Sequence, residues 1–546
     1  MIYKANWNRK PKWKSRLTFL LAIVAIVAGC GGGSTTPAPE SACGTVPYPS
    51  NTGSKTPNPI IDSPEVWTFA SAPNLHPMKV TVNTNEPEAS SELIFVDPFT
   101  PSTAAVYGQP GALILDNNGN PVWFRSLSSP NLMINNFQVQ QFNGQPVLTY
   151  WQGTIATPPV YTNIPAGGSE PGGCYYIMDN NYHVLRTLTA HNGFTANSHD
   201  FVITPSNTAL FIASKVVPMD LTPYGGPQDG AVYDLAVQEV DLQTDQLIFL
   251  WDALDHIPLS DSYENVSDAA QSTNVWDAYH LNSVGLTDDP NDILVSGRST
   301  STIYRINKPT GSIVWQLGGK QSDFTIQSGA EFSWQHDARW LPNNVVSLFD
   351  DNCCETPMVP PDTPPSHGLL LQLDLSNMIA SVATEYYHDP NVNTSSQGNT
   401  QILDNGDVFV GWGDQPYYTE YSSAGNNVDE PGLNTLYDAQ MPGTNNSYRV
   451  FREAWIGRPL NPPSVAAKTS GGQTLVYASW NGSTETDSWQ IFGGSNPDQL
   501  SLLKTAMKSG FETVATVSNA GPFFQVKALN AGGQVIGISN IITSSR

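Results

Sequence analysis

Ala112-Leu-Ile-Leu-Asp116-Asn-Asn-Gly119-Asn-Pro-Val-Trp123 is an apolar run, a turn opened by aspartate and carrying glycine, and a second run that ends in tryptophan. Apolar runs separated by an Asp/Asn-Gly turn read as a β-hairpin. The pattern returns at Tyr175–Val184 around Asp179, Val237–Trp251 around Asp241 and Ile303–Trp315 around Asn307. It returns again at Leu369–Tyr386 around Asp374 and at Asn434–Trp455 around Asp438. The marker residue advances by 63, 62, 66, 67 and 64 positions. Between the markers lies a second kind of strand pair: Val139–Trp151, Phe201–Ser214, Ser283–Arg298, Ala338–Asp350 and Thr400–Gly413. No stretch here sustains a helical apolar period. Six markers at near-constant spacing predict an all-β fold, a six-bladed β-propeller of about four strands per blade. The spacing exceeds the ~40–50 residues of common propeller repeats, so long loops are expected. A large β-sandwich or a β-helix is the plain alternative.

Three histidines stand at matching points of this repeat: His199 in Ser198-His199-Asp200, His280 in Tyr279-His280-Leu281-Asn282, and His336 in Gln335-His336-Asp337. Each adjoins a second-type strand pair, so in a ring of repeats they converge on the axis. Converging imidazoles make a binding, catalytic or metal site. Arg298 ends the strand that begins near His280, and its guanidinium fork suits oxyanions. Asn282 lies two residues after His280, hence on the same side of an extended strand. Asp200 and Asp337 follow their histidines directly and should face away, so they are read as fixing turns or pairing elsewhere. No carboxylate cluster is apparent beside the histidines. Trp276, Tyr279, Phe332, Trp334, Trp340 and Trp412 crowd the same segments, as packing or as pocket walls for a flat ligand.

The chain opens with a basic segment (Lys4 to Arg16) and an apolar core, Leu17–Ala28, which end in Val27-Ala28-Gly29-Cys30. That tetrapeptide resembles the lipobox of bacterial lipoproteins, in which the cysteine (Cys30) is lipidated. Residues 1–30 are therefore expected to be a lipoprotein signal peptide, and the Gly/Ser/Thr/Pro-rich residues 31–60 a flexible tether. The expected location is the periplasmic face of a membrane or the cell surface, with the membrane a partner through the lipid. Six of the 24 basic residues lie in the export segment, which leaves 18 against 48 acidic ones, a net charge of −30. Such a charge argues against a nucleic-acid partner. Cys43, Cys174, Cys353 and Cys354 allow two disulfides in three connectivities; Cys353 and Cys354 could bridge each other, or each could reach a distant partner. Their spacing fits no tetrahedral zinc pattern.

Residues 61–457 are expected to hold the propeller with an N-terminal β extension. Pro459-Leu-Asn-Pro-Pro463 reads as a linker. Residues 458–546 beyond it, with strands at Leu475–Trp480, Trp489–Phe492, Glu512–Val517 and Phe523–Ala528, predict an immunoglobulin- or fibronectin-like β-sandwich.

His-Asp, His-x-Asn, Ser-x-Arg and Gln-His, in that order on a propeller, resemble the bacterial aryl-sulfate sulfotransferases. Phe332-Ser-Trp-Gln-His-Asp-Ala-Arg-Trp-Leu-Pro-Asn343 carries most of the resemblance, and Gly311-Ser-Ile-Val-Trp-Gln-Leu-Gly-Gly319 supports it. It spans about residues 65 to 455. The resemblance implies transfer of a sulfuryl group from an aryl sulfate to a phenol, with no nucleotide donor, no cofactor and no metal. It implies His336 as the nucleophile that becomes sulfated. His199, His280 and Arg298 would hold the sulfuryl oxygens, and Asn282 would assist. A homodimer is an arrangement it suggests. The cysteines and the C-terminal module depart from the family pattern. Two other readings of the residues stand beside this one: a metal-dependent esterase or sulfatase on the three histidines, and a non-catalytic propeller that binds a partner.

Overall fold

The structure, a computed structural model, describes residues 59–99, 106–127, 132–153, 173–266, 275–354, 364–518 and 520–545. The export segment, Cys30, the tether and Cys43 lie outside them. Among the described residues the chain is all-β, with helix confined to short turns such as Ala253–His256.

Leu93–Val96, Gly111–Leu115 and Pro121–Ser126 form the first sheet, whose outer neighbour is Phe451–Glu453 from far down the chain. An eight-stranded sheet runs from Met133–Phe142 to Leu247–Asp252; its two halves meet through one residue pair, Ala196 with Gly173. Leu281–Leu286, Asp292–Gly297, Thr302–Asn307 and Ile313–Gly318 make the next sheet. His336–Leu341, Val345–Asp350, His367–Asp374 and Ile379–Tyr386 follow, with Thr325–Ile326 added in parallel. The last of the series is Asn399–Ile402, Val408–Gly411, Tyr417–Tyr421 and Thr435–Gln440, joined at its edge by Thr81–Asn85. Apolar strands such as Gly111–Leu115 and Val408–Gly411 are buried on both faces. Each fully buried Leu, Ile or Phe contributes about 1.5–3 kcal/mol.

The cores run from sheet to sheet in sequence. Ile114 and Trp123 pack with Leu148 and Tyr150. Tyr175 and Ile177 pack with Phe211 and Val240, Val237 with Val284 and Val295, and Ile303 with Leu348 and Leu371. Phe349 meets Val410 and Trp412, and Phe409 and Tyr437 meet Ile94 and Leu113 of the first sheet. The succession thus returns to its start.

The expected strand pairs at 139–151, 201–214, 283–298, 338–350 and 400–413 are all present. Five markers sit at or just after the end of a strand, as a turn requires: Asp116, Asp179, Asp241, Asn307 and Asp374. The sixth does not. Asp438 lies inside strand Thr435–Gln440, opposite Thr419. The corresponding turn follows Tyr421, because only five residues separate Val408–Gly411 from Tyr417–Tyr421. A longer turn then restores the spacing by coincidence.

Two further sheets, Ser464–Ser470 with Gln473–Ser479 and Glu512–Ser518, and Ser501–Met507 with Ser488–Gly494, Phe523–Leu529 and Val535–Ile538, enclose a common core of Val476, Trp489, Ile491 and Phe524. This module is docked. The Phe69 and Phe511 rings meet at 4.3 Å between centroids, and Asn481 brackets the main chain of Phe124 with bonds of 2.8 and 2.9 Å. Tyr182 stacks on Trp123 and donates to the Gly482 carbonyl. Gly482 has φ +93°, and a Cβ there would strike the Tyr182 ring.

Candidate active site

The first strand of four successive units is broken at the same place. Register shifts interrupt Asn135/Gln138, Ala196/Phe201, Leu281/Ser283 and His336/Arg339. Asn136, His280 and Asp337 adopt positive φ there. A β-bulge re-aims side chains that a regular strand would alternate. Here the bulges turn polar residues away from the apolar interfaces between sheets.

His199 and His280 meet directly, Nε2 to Nε2 at 3.1 Å. The Nδ1 of His199 contacts Asn197 Oδ1, and the Nδ1 of His280 lies 2.5 Å from Asp277 Oδ2. Both Nδ1 atoms face oxygen acceptors, and the Nε2 contact needs a proton on one of the two nitrogens, which that ring donates to the other. Arg298 is tied to this pair through the main chain, its N–H donating to the His280 carbonyl at 3.0 Å. Its guanidinium lies 4.5 Å above the Trp334 ring and donates to the Ser395 carbonyl at 2.8 Å. Cys354 Sγ is 3.9 Å away.

His336 opens its strand and is only 1% exposed. Its Nδ1 lies 2.5 Å from Asp351 Oδ2, and its Nε2 accepts the main-chain N–H of Gln397 at 3.1 Å. Burial holds His336 well below the ordinary imidazole range, and the charges of Arg298, His280, His199 and Arg449 push it the same way. His199 is also held low, by burial first and by His280 next. The structure therefore brings His199, His280, Arg298 and His336 within electrostatic reach of one another.

Asn282 is different. His280 at φ +47° breaks the strand alternation on which the same-side expectation rested. Asn282 is fully buried, and its Nδ2 donates to the Gln335 carbonyl at 2.7 Å, while its Oδ1 is buried without a partner. Asp200 and Asp337 do pair elsewhere: both contact Arg339 and the fully buried Arg449. Of the aromatics, Trp276, Tyr279, Phe332, Trp340 and Trp412 pack in or against the cores, and Trp334 alone among them lies under Arg298. Cys353 and Cys354 are bridged to each other. Cys174 is disulfide-bonded to a partner outside the described residues.

Sequence reasoning missed Asp277, Asp351, Gln397 and Arg449; two of the three histidines have a single carboxylate at hydrogen-bond distance. Asp351 is separated from His336 by a whole hairpin, so no local pattern marks it. Arg449, like Arg298, is one of few basic residues in an acidic chain, and that scarcity could have marked it. Among the described residues no group of three or more His, Cys, Asp or Glu is arranged to hold a metal ion.

A family model described as "Arylsulfotransferase (ASST)" matches residues 138–430, more than half of the chain. No curated protein matches the sequence. Solved structures with similar backbones include a protein of unknown function from Bacteroides caccae (11% identity, TM-score 0.35, covering 66% of this chain and 98% of that one). Another is a putative 6-phosphogluconolactonase from Bacteroides fragilis NCTC 9343 (11% identity, TM-score 0.27, covering 67% and 99%). A third is apo AztD from Citrobacter koseri (8% identity, TM-score 0.27, covering 67% and 99%).

Proposed function

The chain belongs to the arylsulfotransferase family, and from that premise we propose that it moves a sulfuryl group from an aryl sulfate to a phenol through a sulfohistidine at His336. The observation that carries the reading is the convergence of an electron-pair donor, His336, with a guanidinium and a proton-sharing histidine pair.

In the first half-reaction Nε2 of His336 attacks sulfur; the N–S bond forms as the S–O bond to the aryl group breaks. The Gln397 N–H must first yield its hold on Nε2. Arg298 and the histidine N–H groups meet charge on the sulfuryl oxygens. The departing phenolate takes the proton shared by His199 and His280. In the second half-reaction an acceptor phenol returns a proton to that pair, its oxygen attacks sulfur, and the N–S bond breaks. Donor and acceptor bonds are alike, so a covalent intermediate divides one hard step into two matched ones.

The six groups of about four strands are read as propeller blades over 61–457, closed by pairing of Leu93–Val96 with Phe451–Glu453. Residues 458–546 are read as a β-sandwich. We place the protein outside the cytoplasm, anchored through Cys30 with residues 31–60 as spacer; a bonded Cys174 supports an oxidising compartment. A homodimer remains part of this proposal.

A second reading, a partner-binding propeller without catalysis, draws support from one fact: Nε2 of His336 is buried and already bonded. Incubation of the purified full chain with a chromogenic aryl sulfate decides between them. Phenol release should rise on addition of an acceptor phenol. Without acceptor, a peptide containing His336 should gain one sulfuryl mass. Unchanged transfer by His336→Ala overturns the assignment, and no turnover across several aryl sulfates favours the binding protein. Activity lost in EDTA and restored by zinc or calcium would instead establish metal-dependent hydrolysis.

A further inference from the structure

We propose that Asp351 is the positioning residue that keeps the His336 imidazole in a single protonation state, with its proton on Nδ1 and a free electron pair on Nε2. The kinetic arm of this inference rests on the sulfuryl-transfer reading; its spectroscopic arm does not.

Asp351 directly follows strand Val345–Asp350, whose Phe349 is the register partner of His336. The carboxylate therefore reaches the ring from the neighbouring strand. Oδ2 is 2.5 Å from Nδ1, and neither side chain is more than 1% exposed. The other carboxylate oxygen is also engaged, since Thr394 Oγ1 donates to Oδ1 at 2.9 Å. Ser366 ties Thr394 to the same place: its hydroxyl donates to the Asp351 carbonyl at 2.6 Å and accepts the Thr394 N–H at 2.8 Å. The carboxylate is thus held by its own neighbours.

From the opposite side Gln397 presents a main-chain N–H to Nε2 at 3.1 Å. A main-chain N–H can only donate, so Nε2 must be unprotonated. The ring proton then sits on Nδ1 and is donated to Asp351. A second proton would set two N–H groups head to head. With Asp351 ionised, it and His336 together carry one negative charge in a dry setting. Burial pushes the Asp351 carboxyl well above the ordinary carboxylate range; the Arg298 guanidinium and the Thr394 hydroxyl oppose this, while Asp350 and Asp414 add to it. When Nε2 bonds to sulfur the ring becomes cationic, and Nδ1–H stays donated to the carboxylate. No proton has to leave the ring, and the charge that develops is neutralised where it appears.

The test uses the full chain labelled with 15N-histidine, as wild type, Asp351→Asn, Thr394→Val and Thr394→Ser. Wild-type His336 should show Nδ1–H with an unprotonated Nε2. In Asp351→Asn the amide offers its own N–H to Nδ1, and the proton should move to Nε2. The rate kcat should then fall by roughly 10³- to 10⁴-fold, the scale seen when the orienting carboxylate of a serine-protease histidine is replaced, with KM little changed. Thr394→Val should lose about tenfold or more in kcat, and Thr394→Ser should recover it. An Nε2–H form in the wild type overturns the proposal. So does Asp351→Asn with the tautomer and kcat unchanged. If Asp351→Asn does not fold, unchanged kcat in Thr394→Val overturns it instead. If no variant, wild type included, turns over aryl sulfate, the sulfuryl-transfer reading falls and the nitrogen spectra alone decide this one.

Discussion

Arg449 Nη1 lies 2.9 Å from Asp200 Oδ1, with both side chains wholly buried. The same arginine approaches Asp337 at 3.3 Å and donates to the Asn282 carbonyl at 2.9 Å. One late residue therefore ties together three bulged strands, the two that carry His199 and His336 and the one that follows His280. Removing a single partner from a buried ion network leaves charge without compensation, typically about 3–5 kcal/mol. Arg449→Leu should lose about that much in denaturant unfolding. Burial alone would raise the Asp200 carboxyl, but Arg339 and Arg449 outweigh it and hold it below the ordinary range. A depressed folded value means stability that is present above about pH 4 and lost as pH falls through that folded value. Arg449→Leu should accordingly show a flatter acid limb than wild type.

The legible part of this fold was its periodicity. Alternating apolar runs, Asp-Gly turns and a constant spacing reported strands and hairpins because each is a local pattern. The error at Asp438 has the same origin, since a spacing counts residues and not strands. His199, His280 and His336 were legible because they stand at one point of the repeat, and Arg298 because it ends the strand that begins near His280. Asp351, Gln397 and Arg449 were not. Each acts across a strand or a whole sheet, and the bulges that aim the histidines leave no mark in composition. The same-side argument for Asn282 fails for that reason: the two-residue alternation is void where His280 takes positive φ.

Glu453 gives a second pH signature. Burial first, then Glu92 and Asp404, push its carboxyl up to about 8. An unfolded glutamate titrates near 4.3. Between those values the folded chain keeps a proton that the unfolded chain has released, so this group's contribution to stability falls as pH rises through the window. Glu453→Gln removes the titration and keeps an acceptor for Gln401. The variant should gain on wild type in thermal unfolding between pH 5 and pH 8, and hold a constant margin above that.

Activity should persist into acid. The nucleophile works as neutral imidazole, and His336 is held well below the usual value of about 6.5. Its neutral form therefore survives below that pH. The acid limb of kcat/KM for an aryl sulfate should fall below pH 6.5. Arg298→Met removes one of the charges that press it down, so its limb should move up in pH, toward the ordinary value. An acid limb at or above 6.5 in the wild type would assign the titration to another group.

Arg298 offers the sharpest test of how the sulfuryl group is held. Its guanidinium lies over the Trp334 ring, 4.5 Å from its centroid, and spends one amino group on the Ser395 carbonyl, while Nε is buried without a partner. That arrangement fixes the plane of the fork before any substrate arrives, so little order is lost when sulfuryl oxygens bind. Lysine keeps the charge but has neither the plane nor the second donor direction. Arg298→Lys should lose about 2–4 kcal/mol of transition-state stabilisation, roughly 30- to 1000-fold in rate. The loss should appear mainly in kcat, because the charge on the oxygens grows as the S–O bond breaks. A variant with unchanged kcat and kcat/KM would place Arg298 outside the reacting centre and leave its contact with Trp334 as a structural one alone.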